Sequence, residues 1–84
     1  MNNEDIKKWC VYVHINKTNQ KIYIGITSKL KNRWRVKAYD VKQAIRAAFE
    51  KYGWDGFEHI VLIDNLTKEQ AMECEKALIK KYDS

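Results

Sequence analysis

The sequence predicts a small α/β (α+β) domain: a three-stranded, mainly antiparallel sheet flanked by helices, in the order β-β-α-α-β-α. Two short segments near the N-terminus alternate between two faces, and a third segment is aliphatic throughout. The regions between and after them repeat apolar residues at helical spacing. The chain has 84 residues and no proline, so no linker is evident, and we expect a single domain over residues 1–84.

The first two strands are expected to form a hairpin. Residues 9–15 place Tyr12 and His14 on one face and mainly aliphatic side chains on the other. Residues 22–26 alternate in the same way, with isoleucines on one face and Tyr23 on the other. Antiparallel pairing that joins the aliphatic faces allows Tyr12 to lie opposite Tyr23. His14 falls near the loop end of its strand, where we expect it to be exposed.

The middle of the chain predicts two helices. Residues 29–36 indicate a short helix or helical turn. Asp40 is a candidate N-cap for a second helix that continues to about Tyr52, with apolar residues at three- and four-residue intervals. Gly53 then fits the left-handed position just past the end of a helix.

The last third of the chain predicts a strand and a long helix. Residues 59–64 are aliphatic on both faces, so we expect this third strand in the centre of the sheet. Thr67 and Gln70 have the spacing of a capping box, which marks the start of the final helix. This helix is expected to continue to about Tyr82.

Glu75 lies on the apolar side of that final helix. Its neighbours at three and four residues are all apolar: Ala71, Met72, Leu78 and Ile79. A carboxylate in this position is unfavourable unless it pairs with a cation or binds a metal ion. From the residues alone, a buried salt bridge, for example to Arg33, explains Glu75 as well as a metal site does.

The chain is basic, with a formal net charge of +5, which suits a polyanionic partner without establishing one. Five cations crowd the segment that follows the second strand: Lys29, Lys31, Arg33, Arg35 and Lys37. From composition alone, a run of this kind is as well explained by a solvated surface.

Two tripeptides and two single residues resemble the GIY-YIG nucleases. Val11-Tyr12-Val13 is similar to the first motif in a degraded form, and Tyr23-Ile24-Gly25 matches the second motif intact. Arg33 and Glu75 fall where the family has its arginine and its metal-binding glutamate. Residues 51–58 resemble a stretch of the phage and intron homing-endonuclease branch. The resemblance covers nearly the whole chain and implies the same fold.

The resemblance implies a metal-dependent DNA endonuclease of the homing type that leaves 5′-phosphate and 3′-hydroxyl ends. Tyr12 would orient or deprotonate the attacking water, Tyr23 would support it by hydrogen bonding, and Arg33 would bind the scissile phosphate. Glu75 would bind one Mg²⁺ (or Mn²⁺) whose coordination is completed by DNA phosphate and water. Without the resemblance, ordinary half-buried strand aromatics are the better explanation of Tyr12 and Tyr23.

The remaining basic residues of the run are assigned to flanking DNA phosphates, which give affinity without sequence information: Lys29, Lys31, Arg35 and Lys37. Departures from the family pattern keep alternatives open. Ile26 stands where some relatives have lysine, Lys37 where many have histidine or tyrosine, and no late asparagine follows Glu75. One alternative is a non-catalytic DNA-binding module that retains the fold. The other is a structural or protein-interaction domain, which leaves Glu75 unexplained.

We expect the protein to be a cytoplasmic monomer whose partner is DNA, with no membrane association and no small-molecule cofactor. The N-terminus does not resemble a signal peptide, and no apolar run approaches the ~20 residues that span a bilayer. Cys10 and Cys74 lack metal-ligand spacing and are expected to be free thiols, with a disulfide as the alternative. We also expect the domain to lack the family's C-terminal extension and any DNA-recognition domain.

Overall fold

A computed structural model describes residues 7–35, 39 and 43–82 of the chain. They form a three-stranded antiparallel sheet and three helices in the predicted order β-β-α-α-β-α. The elements are β1 (Trp9–Asn16), β2 (Ile22–Thr27), α1 (Leu30–Arg33), α2 (Ala44–Tyr52), β3 (Phe57–Leu66) and α3 (Lys68–Tyr82), with a 3₁₀ turn at Trp54–Gly56 between α2 and β3.

The β1–β2 hairpin has the predicted parity but a different register. Tyr12 pairs with Gly25, and His14 pairs with Tyr23. The two tyrosines therefore share a face, as the alternation predicts, but they lie diagonally instead of directly opposite. The register depends on the connecting turn, in which the Asn16 amide donates to the Lys21 carbonyl at 2.9 Å. The length of this turn leaves the two tyrosines two positions apart.

The central strand is β1, because the strand order is β2-β1-β3. The prediction that the third strand is central was therefore wrong. Side chains of β1 are buried on both faces, with Val11 0% and Tyr12 2% exposed, whereas Ile60 and Leu62 of β3 are 38% and 45% exposed. Aliphatic residues on both faces of a strand indicate a central position only where neighbouring elements cover both faces.

The predicted helix ends are partly confirmed. Helix α2 has Gln43 at its N-cap, so the predicted start at Asp40 was wrong; Asp40 itself lies outside the described residues. Gly53 follows α2 with a φ of 78°, a conformation that favours glycine. At the start of α3, the Gln70 amide donates to Thr67 Oγ1 and the Thr67 amide donates to Gln70 Oε1. This reciprocal pair confirms the capping box.

The two faces of the sheet are covered by different helices. On the face that carries His14, a cluster of buried side chains joins α2 to the start of β3: Tyr39, Ile45, Phe49 and Phe57. Helix α3 packs mainly against β2 and β1, with Ala71 fully buried. Cys10 and Cys74 are both free thiols, as predicted. Among the described helices, none combines the length and the apolar composition that crossing a bilayer requires.

Candidate active site

Tyr12, Tyr23, Arg33 and Glu75 line one open pocket of about 300 Å³. Strands β1 and β2 supply the tyrosines, α1 supplies the arginine and α3 supplies the glutamate. The pocket is completed by His14, Ile24, Gly25, Ile26, Tyr39, Gln43, Ile45 and Ile79. The structure therefore brings together the four residues that the sequence singled out, although they span more than 60 positions of the chain.

The phenol of Tyr12 lies directly over Gly25. A Cβ atom built on Gly25 would be 2.5 Å from Tyr12 Oη and 2.6 Å from Tyr12 Cζ, well inside van der Waals contact. Glycine is therefore required at position 25 because the Tyr12 ring leaves no room for a Cβ atom, and not because of its backbone conformation. The tyrosine of the first motif and the glycine of the second fit together as cross-strand partners.

Arg33 holds the Tyr12 hydroxyl from the pocket side. Its Nε–H donates to Tyr12 Oη at 3.2 Å, and its guanidinium carbon lies 4.3 Å from the centroid of the Tyr39 ring. Burial lowers the pKa of Arg33, but the hydrogen bond to Tyr12 and the nearby Tyr39 phenol raise it, and the net direction is upward. Arg33 therefore stays positively charged beside the hydroxyl.

Glu75 is half-buried, and burial raises the pKa of its carboxyl above the usual value. Within the described part of the chain no ion pair reaches it; the salt bridge that the structure records joins Arg46 and Glu50 on α2. The alternative of a salt bridge from Glu75 to Arg33 is therefore not observed. Across the same described residues, no group of three or more His, Cys, Asp and Glu side chains could hold a metal ion alone.

The other predicted residues are placed less centrally. The hydrogen-bond partners recorded for the Tyr12 hydroxyl are Arg33 and Tyr39, so Tyr23 shares the pocket without bonding to Tyr12. Three of the assigned DNA-binding cations are exposed on or beside α1 and do not line the pocket: Lys29, Lys31 and Arg35. The fourth, Lys37, lies outside the described residues.

Behind Tyr12 runs a chain of hydrogen bonds that the sequence did not indicate. Tyr12 Oη lies 3.1 Å from Tyr39 Oη, which lies 2.7 Å from His14 Nε2. His14 Nδ1 is 2.7 Å from His59 Nδ1, and His59 Nε2 is 2.9 Å from the Trp54 carbonyl oxygen. His14 is 1% exposed, so the expectation that it is exposed was wrong. The sequence did indicate that His14 shares a face of β1 with Tyr12, because the two residues are two positions apart.

Burial keeps the middle of this chain uncharged. The pKa of His14 is lowered to about 3 by burial and by the nearby His59 and Arg33, which disfavour a second positive charge. The pKa of Tyr39 is raised far above its usual value, mainly by burial and by its hydrogen bond with Tyr12. Both groups are therefore neutral at neutral pH.

Comparison with known protein families identifies a match over nearly the whole chain. Residues 8–84 match the family model described as the GIY-YIG catalytic domain. This range includes all the strands and helices of the described residues and the four predicted pocket residues. Comparison with curated proteins and with solved structures gives no match.

Proposed function

The chain belongs to the GIY-YIG family of nuclease domains, which act on DNA, and on that premise we propose that its pocket is a metal-dependent endonuclease site of the homing type. We propose further that it acts as a monomer in the cytoplasm. The observation that carries the proposal is the convergence of Tyr12, Arg33 and Glu75 on one open pocket. These groups supply a base, a cation and a metal-binding carboxylate, which hydrolysis of a phosphodiester requires.

Arg33 is proposed to bind the scissile phosphate. Negative charge builds on the nonbridging oxygens as water attacks phosphorus, and a guanidinium held in a half-buried pocket stabilises that charge. The cation–π contact with Tyr39 and the hydrogen bond to Tyr12 fix its orientation before DNA arrives. Such preorganisation is favourable because no rearrangement is needed during the reaction.

Tyr12 is proposed to orient the attacking water and to take its proton. Its hydroxyl is fixed between two hydrogen-bond partners, the Arg33 guanidinium and the Tyr39 hydroxyl, so its oxygen is held in place to accept a proton. Tyr23 lines the same pocket and is proposed to hydrogen-bond the water or the phosphate from the opposite strand of the hairpin.

Glu75 is proposed to hold one Mg²⁺ or Mn²⁺ ion. A single carboxylate without a cationic partner in the described part of the chain suits an ion that keeps most of its water and binds substrate phosphate as well. When bound, the ion supplies positive charge that stabilises the leaving 3′ oxygen. Glu75 would hold the ion from α3, in the same pocket that Arg33 enters from α1.

The exposed cations on and beside α1 are proposed to bind flanking DNA phosphates. Lys29, Lys31 and Arg35 follow directly on β2 and surround Arg33 in sequence. Phosphate contacts of this kind position DNA over the pocket but do not discriminate between bases. We therefore propose that cleavage by this domain has little sequence preference of its own.

A nicking assay on supercoiled plasmid tests the proposal. The wild type is expected to convert supercoiled DNA to nicked or linear DNA with Mg²⁺ or Mn²⁺ and not with EDTA. Glu75→Gln should abolish cleavage because it removes the carboxylate charge and keeps the side-chain shape. Glu73→Gln is the matched control: it makes the same change on an exposed part of α3 and should cleave like the wild type.

Two outcomes would contradict the proposal. Cleavage by Glu75→Gln at the wild-type rate would show that Glu75 does not bind the metal. Salt-dependent DNA binding by a wild type that cleaves nothing with either metal would favour the non-catalytic DNA-binding module instead.

A further inference from the structure

We propose that Tyr39, His14 and His59 form a relay that receives the proton which Tyr12 takes from the attacking water. The inference rests on the proposed nuclease function and concerns residues outside the four predicted ones. Each neighbouring pair in this series is joined by a hydrogen bond of 2.7 to 3.1 Å. The residues come from three separate parts of the chain, at positions 12–14, 39 and 59.

The direction of the hydrogen bonds follows from the far end of the relay. The Trp54 carbonyl oxygen can only accept, so His59 Nε2 carries a proton and donates it. In a neutral His59 the other ring nitrogen, Nδ1, is then an acceptor. The hydrogen bond between the two Nδ1 atoms therefore takes its proton from His14.

The remaining directions follow in turn. Neutral His14 carries its proton on Nδ1, so its Nε2 accepts from the Tyr39 hydroxyl. The Tyr39 oxygen then accepts from the Tyr12 hydroxyl, whose own oxygen accepts from Arg33 Nε–H. Every hydrogen bond in the series is thus donated in one direction, from Arg33 at one end towards the Trp54 carbonyl at the other.

This polarity allows a balanced transfer. The attacking water gives a proton to the Tyr12 oxygen as its O–H bond breaks, and Tyr12 passes its own proton to the Tyr39 oxygen. Tyr39 passes its proton to His14 Nε2, and His14 passes its Nδ1 proton to His59 Nδ1. The hydroxide forms the new bond to phosphorus, and His59 becomes an imidazolium. The proton then leaves from half-buried His59 to solvent. Before the next turnover the Tyr12 and Tyr39 hydroxyls turn back, and the His14 proton returns from Nε2 to Nδ1.

The surroundings favour a transfer that passes through the middle groups and ends at His59. Tyr39 and His14 each gain one proton and lose one, so neither holds a charge in a buried position where charge is unfavourable. The His59 ring stacks on Trp54 with centroids 3.9 Å apart and an angle of 14° between planes. An indole face stabilises a cation, which suits the terminal imidazolium. Charged side chains that the structure places beside the relay or in its pocket include Arg33, Arg46 and Glu75.

Tyr39, His14 and His59 act through Tyr12 and touch neither water nor phosphate in this scheme. They are therefore positioning residues and not catalytic ones. Their role predicts effects on the pH dependence of cleavage, which a merely structural role would leave unchanged.

The first experiment reads the protonated nitrogens directly by long-range ¹H–¹⁵N NMR of the wild-type protein at neutral pH. His14 is expected to be protonated on Nδ1 alone and His59 on Nε2 alone. This result does not depend on nuclease activity. A proton on Nε2 of His14, in either a neutral or a charged ring, would overturn the proposal because His14 could not accept from Tyr39.

The second experiment compares cleavage by Tyr39→Phe with cleavage by Tyr52→Phe. Tyr39→Phe keeps the ring and removes the hydroxyl that joins Tyr12 to His14. Tyr52→Phe is the matched control, because Tyr52 packs against the same cluster of aromatic residues and is not a member of the relay. Tyr39→Phe should cleave at least ten times more slowly at pH 7, since positioned proton transfer contributes about 10²–10⁴-fold to catalysis.

The pH profile separates a proton role from a packing role. In Tyr39→Phe the Tyr12 proton can leave only to solvent, so the defect should shrink steadily as the pH is raised, with DNA affinity unchanged. If the wild type cleaves DNA and Tyr39→Phe cleaves it as fast as Tyr52→Phe does, the relay is overturned and the proposed nuclease function stands. Absence of cleavage by the wild type would instead overturn the proposed function, whatever the histidine protonation states are.

Discussion

Gly25→Ala tests the fit between the two tyrosine-containing motifs. The added Cβ would lie 2.5 Å from Tyr12 Oη, about 0.9 Å closer than the 3.4 Å at which ordinary contact begins. The backbone cannot easily withdraw, because Gly25 pairs with Tyr12 in the ladder of the central strand. The phenol must therefore move, and a movement of this size is enough to break its 3.2 Å hydrogen bond from Arg33.

The expected effects are a large loss of cleavage and a moderate loss of stability. A displacement of about 1 Å at a reacting group lowers the rate by about 10²-fold. Overpacking of a buried site destabilises a protein by about 1–3 kcal/mol, which lowers the Tm by about 4–8 °C per kcal/mol in a domain of this size. Plasmid nicking at a temperature where both proteins are folded, together with thermal melts, measures the two effects separately.

Gly56→Ala is the control for this experiment. Among the described residues its added Cβ would meet Tyr52 Cβ alone, at 3.3 Å, and Gly56 does not line the pocket. Cleavage by this variant should remain close to the wild-type rate. If Gly25→Ala nicks plasmid as fast as the wild type, the phenol of Tyr12 does not need its observed position, and the proposed role of Tyr12 is refuted.

Four further predictions follow from the same structure. Burial raises the pKa of Glu75, so Glu75→Gln without metal should melt at or above the wild-type temperature at neutral pH. The stability gained by the variant should vanish as the pH falls through that pKa to below about 4.5. A free energy of unfolding lowered by about 3–5 kcal/mol in the variant would reveal a salt bridge instead. His14, whose pKa is lowered to about 3, takes up a proton only on unfolding between pH 6.5 and about 3, so the wild type should lose stability on acidification across this range, and acid titration of His14→Gln by circular dichroism should show a weaker dependence. Arg33→Lys should lower the rate of plasmid cleavage by about 10²–10³-fold, with DNA affinity within a few-fold of the wild type; unchanged cleavage would exclude Arg33 from phosphate stabilisation. Lys29→Ala and Lys31→Ala should each reduce the slope of log affinity against log salt by about 0.9 in fluorescence anisotropy, and an unchanged slope would show that these side chains do not contact phosphate.

Local patterns in the sequence predicted the elements well. The alternation of side chains in β1 and β2 was sufficient to place Tyr12 and Tyr23 on one face, because this period is a property of each strand alone. The exact partners were not predictable, since the turn sets the register. The position of β3 was also misjudged, because strand order depends on pairing between distant segments and not on composition within one segment.

Apart from the family resemblance, the sequence indicated the candidate site only where a residue broke a pattern. Glu75 stood out because a carboxylate interrupts an apolar helix face, and such conflicts between local rules concentrate at functional sites. Tyr39 gave no comparable signal, because it belongs to no described helix or strand. His14 and His59 meet across 45 residues of sequence, and no local spacing indicates that contact.

The strand order also determines when during folding the pocket becomes complete. The β1–β2 hairpin closes a short loop, and hairpins form within about 1–10 μs. Pairing of β1 with β3 joins residues 45 positions apart, and contacts of such separation form slowly. Tyr12 and Tyr23 can thus be arranged early, while Glu75 arrives only when α3 docks. Under the proposed function, a partly folded chain would bind DNA phosphates without cleaving DNA. Hydrolysis would begin only after α3 has docked and brought Glu75 into the pocket.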